Sequence, residues 1–303
     1  MKKSVPANLR HWIVWAVEAG FVFILIGIIR LMPPAIASAV GGALIGLIGP
    51  LTPWHRRSLF NIGYAMPETS MAERQRIARA AWVNLGRVGG EFCHVRRIIA
   101  SDRITIEGLE HLNANSRGGF MIGAHLGNWE IFSAPANRLD LKLSAVYRPT
   151  NNPIVTRLLY GRSSLYHRIY EKGPQGARAI ASTITKGEYF AMLVDQKLRE
   201  GMMLDFFGHK ASTAIAHIKF ALRSGVPIFM VQVIRTGGCR FHLRITPFDL
   251  PEGHGRGKDD DETVALIGTR INAIIERWIR ENPEQWLWPH RRWPASKGER
   301  EVS

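Results

Sequence analysis

The sequence predicts an α/β fold: a mixed, mostly parallel sheet flanked by helices, behind an N-terminal membrane-associated helical region. Three observations predict it. From residue 103 onward, strand-length apolar runs alternate with helix-length periodic segments, the pattern of βαβ units. Residues 12–32 and 35–51 are almost continuously apolar, and the first run has about the length a bilayer core demands. Residues 118–131, Gly-Gly-Phe-Met-Ile-Gly-Ala-His-Leu-Gly-Asn-Trp-Glu-Ile, read as a buried strand, a tight turn and a helix start.

In chain order, Lys2, Lys3 and Arg10 precede the first apolar run, which only Glu18 and Arg30 interrupt. The second run is rich in glycine and alanine, follows Pro33-Pro34, and is marginal as a span, so it lies at the interface or turns back. A cleaved signal peptide is the competing reading, with Ala35–Ala39 as its cleavage site; the apolar region is long for a signal and continues past that site. Basic residues lie at both ends, Arg30, Arg56 and Arg57 on the far side, and the positive-inside rule draws both ends to the cytoplasm. A hairpin or re-entrant arrangement satisfies this; a single span does not. Residues 53–100 read as helices. Pro53 suits a first helical position, Pro67 to Ser70 is a break, and Ser70 caps a helix reaching about Arg97. Its Arg74, Arg76 and Arg79 form a solvated face or meet lipid phosphate.

Strands are expected at 104–107, 119–124, 143–147, 189–194, 227–234 and 241–245. Helices are expected at 129–139, 153–162, 175–186, 214–223 and 262–281. The glycine-rich, charged stretch 252–261 reads as a surface loop. The chain thus divides into an anchoring region, 1–51, and a domain, 52–303. The domain has a helical lead-in (52–100), an α/β core (101–293) and a tail (294–303).

Charge narrows the partners. Forty Lys and Arg oppose 25 Asp and Glu, a net +15 over 303 residues. That balance implies a polyanion: an acidic protein, an anionic membrane surface or nucleic acid. No zinc-finger cysteines and no aromatic RNA-binding motif appear, so nucleic acid ranks low. The two cysteines, Cys93 and Cys239, fit a reduced compartment. No metal-ligand spacing, phosphate-binding loop or dinucleotide fingerprint appears, so neither metal nor nucleotide cofactor is expected.

Chemistry gathers at the carboxyl edge of the sheet, where open α/β proteins bind ligands. His125 ends the strand at 119–124, Gly127 permits the turn, and Asn128 is a good helix N-cap. Glu130 lies five residues on. On one continuous helix the two would point about 140° apart, at roughly 100° per residue, so they meet only across a turn. An imidazole held by a carboxylate is a general base; a solvated loop histidine beside an unrelated first-turn glutamate is the plainer alternative. Asp195 and Gln196 follow the apolar run 190–194 and occupy the same rim, to bind substrate, orient an arginine or merely cap a turn. Arg148, after a strand, and Arg162, ending a helix, carry forks suited to phosphate or carboxylate. Phe206, Phe207 and Gly208 read as a loop with apolar anchors. The C-terminal Trp286, Trp288, His290, Arg291, Arg292 and Trp293 suit either a membrane–water boundary or packing on the sheet.

His125-Leu-Gly-Asn-Trp-Glu130 resembles the His-x4-Asp/Glu signature of the bacterial lipid A biosynthesis acyltransferases, in the wider lysophospholipid- and glycerolipid-acyltransferase-like group. Asn61 to Glu68, Arg76 to Gly86, Tyr147-Arg-Pro149, Asp195-Gln196, Phe206-Phe-Gly208 and Gln285 to Arg292 resemble further blocks, so the likeness runs over roughly residues 8–293. It implies a glycerolipid-acyltransferase-like fold and an enzyme that moves a fatty acyl chain from acyl–acyl carrier protein to a hydroxyl of a lipid A precursor. His125 and Glu130 would be a general-base dyad working by direct transfer, without metal or other cofactor. Asn128, Arg148, Arg162, Asp195 and Gln196 would bind substrate or support the oxyanion, and Phe206 to Gly208 would join the substrate rim. The implied partners are the acidic carrier protein, a phosphorylated glycolipid and the membrane. The implied location is the bacterial inner membrane, with the catalytic domain on its cytoplasmic side, in lipopolysaccharide and outer-membrane biogenesis. Another lipid acceptor, a lysophospholipid or phosphoglycolipid, and a non-catalytic membrane-bound binding protein are the alternatives.

Overall fold

The computed structural model describes residues 9–293 apart from 116, 148, 160–163 and 251–259. The expected tail 294–303 and most of the expected loop 252–261 lie outside the described residues.

Two apolar helices come first, α1 (Leu9–Leu31) and α2 (Pro34–Ile48). By length and composition the stretches His11–Leu31 and Pro34–Leu51 could each cross a membrane. Their large apolar side chains, among them Phe21, Phe23, Ile24, Leu31 and Leu47, are exposed. Glu18, the odd charge in the first run, accepts a hydrogen bond from Asn152 Nδ2 at 3.0 Å, and the same nitrogen donates to Trp15 O. His94 Nε2 donates to Ile29 O at 2.9 Å. Polar contacts thus dock an otherwise apolar helix.

The helical lead-in holds α3 (Pro53–Ala65), α4 (Met71–Glu91) and α5 (Val95–Ile99). Ser70 caps α4 by accepting from Glu73 N. The helix stops six residues before the expected Arg97, where Gly89 and Gly90 weaken helical propensity. α2 and α4 touch backbone to backbone. A Cβ on Gly41 would stand 2.3 Å from Gly86 O, and one on Gly90 would stand 2.1 Å from Ala37 O. Small residues four apart allow this approach, as they do between membrane helices.

Among the described residues the chain then alternates β1 (Ile104–Glu107), α6 (Leu109–Asn113), β2 (Gly119–Gly123), α7 (Ala134–Arg138), β3 (Leu143–Tyr147) and α8 (Pro153–Leu159). β4 (Arg168–Glu171), α9 (Pro174–Thr185), β5 (Tyr189–Leu193) and a hairpin of β6 (Met202–Phe206) and β7 (His209–Thr213) follow. α10 (Ala216–Ser224), β8 (Ile228–Gly237), β9 (Arg240–Phe248) and α11 (Asp261–Glu281) close the fold. The sheet order is β1-β9-β8-β2-β5-β3-β4, and every pair is parallel except β8 with β9. The mixed, mostly parallel α/β sheet is the expected one.

β2 sits between β8 and β5, buried along its whole length. Phe120 and Ile122 face one core layer and Met121 the other, the two-residue period of a strand. Three expectations are corrected. Residues 129–139 form a 3-10 turn, Trp129–Ile131, and then the short α7. Pro135 sits in α7's first turn, a place where proline starts a helix but could not continue one. Phe206 ends β6 and Phe207 and Gly208 make the hairpin turn, an anchor in the core rather than a substrate rim. Phe207 and Gly208 both have positive φ, 55° and 71°, and both phenylalanines are buried in the core. Trp286, Trp288 and Trp293 are buried too, which excludes the membrane-boundary reading of these tryptophans. Arg292, buried over the Phe206 ring, donates to Ser212 O at 2.6 Å and Thr213 Oγ1 at 2.8 Å.

His217 in α10 is fully buried beside Phe120, and neither ring nitrogen has a hydrogen-bond partner. Burial pushes its pKa down from 6.5 to about 3. The folded protein therefore refuses, between those values, a proton that the unfolded chain binds. Stability should fall on acidification from pH 6.5 toward 3, by about 1.4 kcal/mol for each unit crossed. Urea unfolding of wild type and His217→Leu at pH 7 and pH 4 should show the flatter dependence in the variant; equal slopes would refute this account.

Candidate active site

Register explains how the site assembles. β2 and β5 are parallel neighbours with Gly123 opposite Leu193, and Val194 N donates to Gly123 O at 3.0 Å. Two residues beyond that pair, at the carboxyl edge, stand His125 and Asp195. Asp195 Oδ1 accepts from His125 Nδ1 at 2.8 Å, while Oδ2 accepts from His125 N at 2.9 Å and from Trp286 Nε1 at 2.8 Å.

The turn after β2 is shaped by backbone crowding. A Cβ on Gly123 would stand 2.4 Å from the Phe132 ring, and one on Gly127, at φ +61°, would stand 2.4 Å from Val233 O. Only glycine fits either place. Gly127 N donates to Gln285 O at 3.1 Å, and Asn84 Nδ2 donates to Gly127 O at 2.9 Å. The turn is therefore clamped between α4 and the C-terminal segment.

Asp195 is buried. Burial alone would raise its pKa, but the interaction with His125 and the hydrogen bonds from His125 and Trp286 prevail and hold it at about 2. An ionised carboxylate only accepts, so Nδ1 of His125 carries the proton and Nε2 presents its lone pair. The Gln196 side-chain nitrogen lies 3.2 Å from that Nε2.

A cavity of about 710 Å³ opens beside His125. Its wall is largely apolar, with Ala145 and Val146 of β3, Ala191 and Met192 of β5, and Ala177 and Ile180 of α9; Lys172, Lys197 and Glu200 also line it. Glu130 and Trp129 stand on the wall with His125. The carboxylate on the ring's Nδ1 is Asp195, because strand pairing aligns it with the histidine, while Glu130, expected to orient the ring, stands on the cavity wall. Asn128 caps as expected, Oδ1 accepting from Glu130 N at 3.0 Å. Arg148 and Arg162 lie outside the described residues.

Sequence reasoning missed a buried carboxylate beneath this turn. Glu91 accepts from Ser38 Oγ of α2 at 2.6 Å, from Asn128 Nδ2 at 2.7 Å, and from both terminal nitrogens of Arg235, Nη2 at 3.0 Å. A signal existed: Ile77, Ala81, Asn84, Val88 and Glu91 fall on one buried stripe of α4, where a polar residue needs a partner.

A carboxylate-held imidazole whose second nitrogen carries a lone pair beside an apolar cavity can accept a proton from a ligand's hydroxyl, amine or thiol. Fold and site together define an α/β protein with a carboxylate-held histidine at the mouth of a cavity. The chain belongs to the family described as bacterial lipid A biosynthesis acyltransferase, which it matches over residues 2–295. It is 27% identical over 194 residues to the lipid A biosynthesis palmitoleoyltransferase of Escherichia coli (strain K12), an alignment covering 62% of this chain and 60% of that protein. The lauroyltransferase of the same strain is 25% identical over 243 residues, 77% and 76% of the two chains. The myristoyltransferase is 24% identical over 298 residues, 92% and 86% of the two.

Proposed function

We propose that this protein transfers a fatty acyl chain from acyl–acyl carrier protein to a hydroxyl of a lipid A precursor, by direct attack. The observation that carries the reading is the His125–Asp195 pair at the mouth of a largely apolar cavity of ligand size. The acceptor hydroxyl displaces Gln196 from His125 Nε2 and gives it a proton. Asp195 fixes the tautomer and stabilises the imidazolium. Glu130 stands beside the pair on the cavity wall. The acceptor oxygen bonds to the thioester carbon, the carbon–sulfur bond breaks, and the leaving thiolate takes the proton back from His125. The acyl chain lies along the wall of Ala145, Ala177 and Met192, and Lys172 and Lys197 attract phosphate. No metal or other cofactor enters these steps.

Exposed apolar side chains on α1 and α2 support attachment to the bacterial inner membrane, since a soluble monomer rarely leaves so large an apolar surface uncovered. The flanking Arg30, Arg56 and Arg57 support a cytoplasmic catalytic domain. The net charge of +15 suits an acidic carrier protein and a phosphorylated acceptor.

Purified protein, acyl–carrier protein and a phosphorylated glycolipid acceptor should yield an acceptor heavier by one acyl group in mass spectrometry. With acyl–coenzyme A the rate should be lower and respond less to salt, because steering of an acidic protein is screened over about 8–10 Å. Transfer only to lysophospholipid would move the reading to another acceptor. No transfer with any donor would leave a binding protein.

A further inference from the structure

We propose that His290 is a second catalytic histidine, donating a hydrogen bond from Nδ1 to the thioester oxygen as that oxygen becomes an oxyanion. The proposal rests on the acyl-transfer reading above and adds the group that stabilises its intermediate.

The argument begins with placement. The C-terminal segment is sewn to the catalytic turn by the Leu126–Trp286 bridge and by Trp286 Nε1 on Asp195. This brings His290, four residues on, to the wall of the same cavity as His125. Its ring accepts the Lys197 backbone N–H at Nε2, 3.0 Å away. Gln196, the preceding residue, meets His125 Nε2. The two imidazoles therefore meet adjacent residues, His125 the Gln196 side-chain nitrogen and His290 the Lys197 backbone N–H.

The ring's protonation follows from this bond. Nε2 can accept an N–H only through its lone pair, so the proton of the neutral ring resides on Nδ1. That Nδ1–H makes no hydrogen bond to the described residues. Among cavity-lining groups it is a donor fixed in tautomer and left uncommitted. Neighbouring Arg292 is not an equivalent donor, because it is fully buried away from the cavity wall, with its terminal nitrogens on Ser212 and Thr213.

Neutrality suits the role. Burial lowers the pKa of His290 to about 4, with His125, Arg292 and Arg57 assisting against Asp195. A cationic His290 would surrender the Lys197 bond and oppose the imidazolium that forms on His125. A neutral donor strengthens its hydrogen bond as charge gathers on the carbonyl oxygen and relaxes when the intermediate collapses. No proton leaves His290 at any step.

Three variants separate this role from loop support. His290→Gln can still accept the Lys197 N–H through its amide oxygen but has no donor at the Nδ1 position. His290→Asn places an amide nitrogen near that position and gives up the Lys197 bond. His290→Ala loses both. With wild type active, His290→Gln should lose about 10²-fold in kcat while its KM for donor stays within about threefold and its melting temperature is unchanged. His290→Asn should exceed His290→Ala by about tenfold in kcat. A Gln variant within about threefold of wild type would overturn the proposal and leave His290 as a positioning residue for Lys197. An Asn variant no better than Ala would overturn it equally, and this comparison holds even if the Gln variant does not fold. Inactive wild type would instead strike the acyl-transfer reading itself.

Discussion

Asp195→Asn is expected to lower kcat by about three orders of magnitude while KM for either substrate changes little, because the carboxamide can donate to Nδ1 and so favours the wrong tautomer. The variant keeps the shape of the carboxylate, so the bond from Trp286 Nε1 survives and the fold should persist. His125→Ala should lose as much, and the double variant should be little worse than either, since a base and its holder act as one unit. Single-turnover transfer with each purified variant measures this. A fully active Asp195→Asn would show that the ring needs no carboxylate on Nδ1. The carboxylate also links to stability. Its folded pKa of about 2 lies below its ordinary 3.8, so its contribution is complete above 3.8 and is lost as pH falls through 2. The Asn variant should lack that acid-side loss.

Glu91→Ala is expected to destabilise the protein by about 3–5 kcal/mol, the usual cost of breaking a buried ion pair from one side. Arg235 is nearly sealed from solvent and would keep Asn84 Oδ1, Gly238 O and the Phe241 ring but no anion, while the Ser38 hydroxyl and the Asn128 amide nitrogen would lose their acceptor. The loss should reach chemistry as well. Asn128 is the link between Glu91 and the Glu130 amide, so the turn carrying His125 loosens. Ser38 belongs to α2, and the same carboxylate therefore ties that helix to the turn carrying His125. Urea unfolding of Glu91→Ala, Arg235→Met and the pair gives the coupling energy. The double variant should recover part of the loss, because no buried charge is then left alone. A cost under about 1 kcal/mol for Glu91→Ala would mean the hub holds nothing together.

Much of this molecule is legible in short windows of sequence. The apolar run at 119–124 ending in His125, and the run at 190–194 ending in Asp195, each announce a buried strand and a polar residue at its carboxyl edge. The strands at 104–107 and 143–147 and the helix α11 announce themselves in the same way. β4 escapes because it is four residues long and half exposed, with no alternation to betray it. The β6–β7 hairpin escapes because its turn puts a phenylalanine at positive φ, where glycine or asparagine is the usual signal.

What no window contains is which carboxylate meets the imidazole. Glu130 is five residues from His125 and Asp195 is seventy, so local spacing favours the first. The choice is made by the sheet. β5 lies beside β2, parallel and in a register that sets Gly123 against Leu193. Glu91, Arg235 and His290 reach the turn in the same way, from α4, β8 and the C-terminal segment. Local pattern records which face of an element is buried, since that depends on the element's own period. It does not record which element lies next to it, because neighbours are selected by packing across the whole core, and the site is made of neighbours.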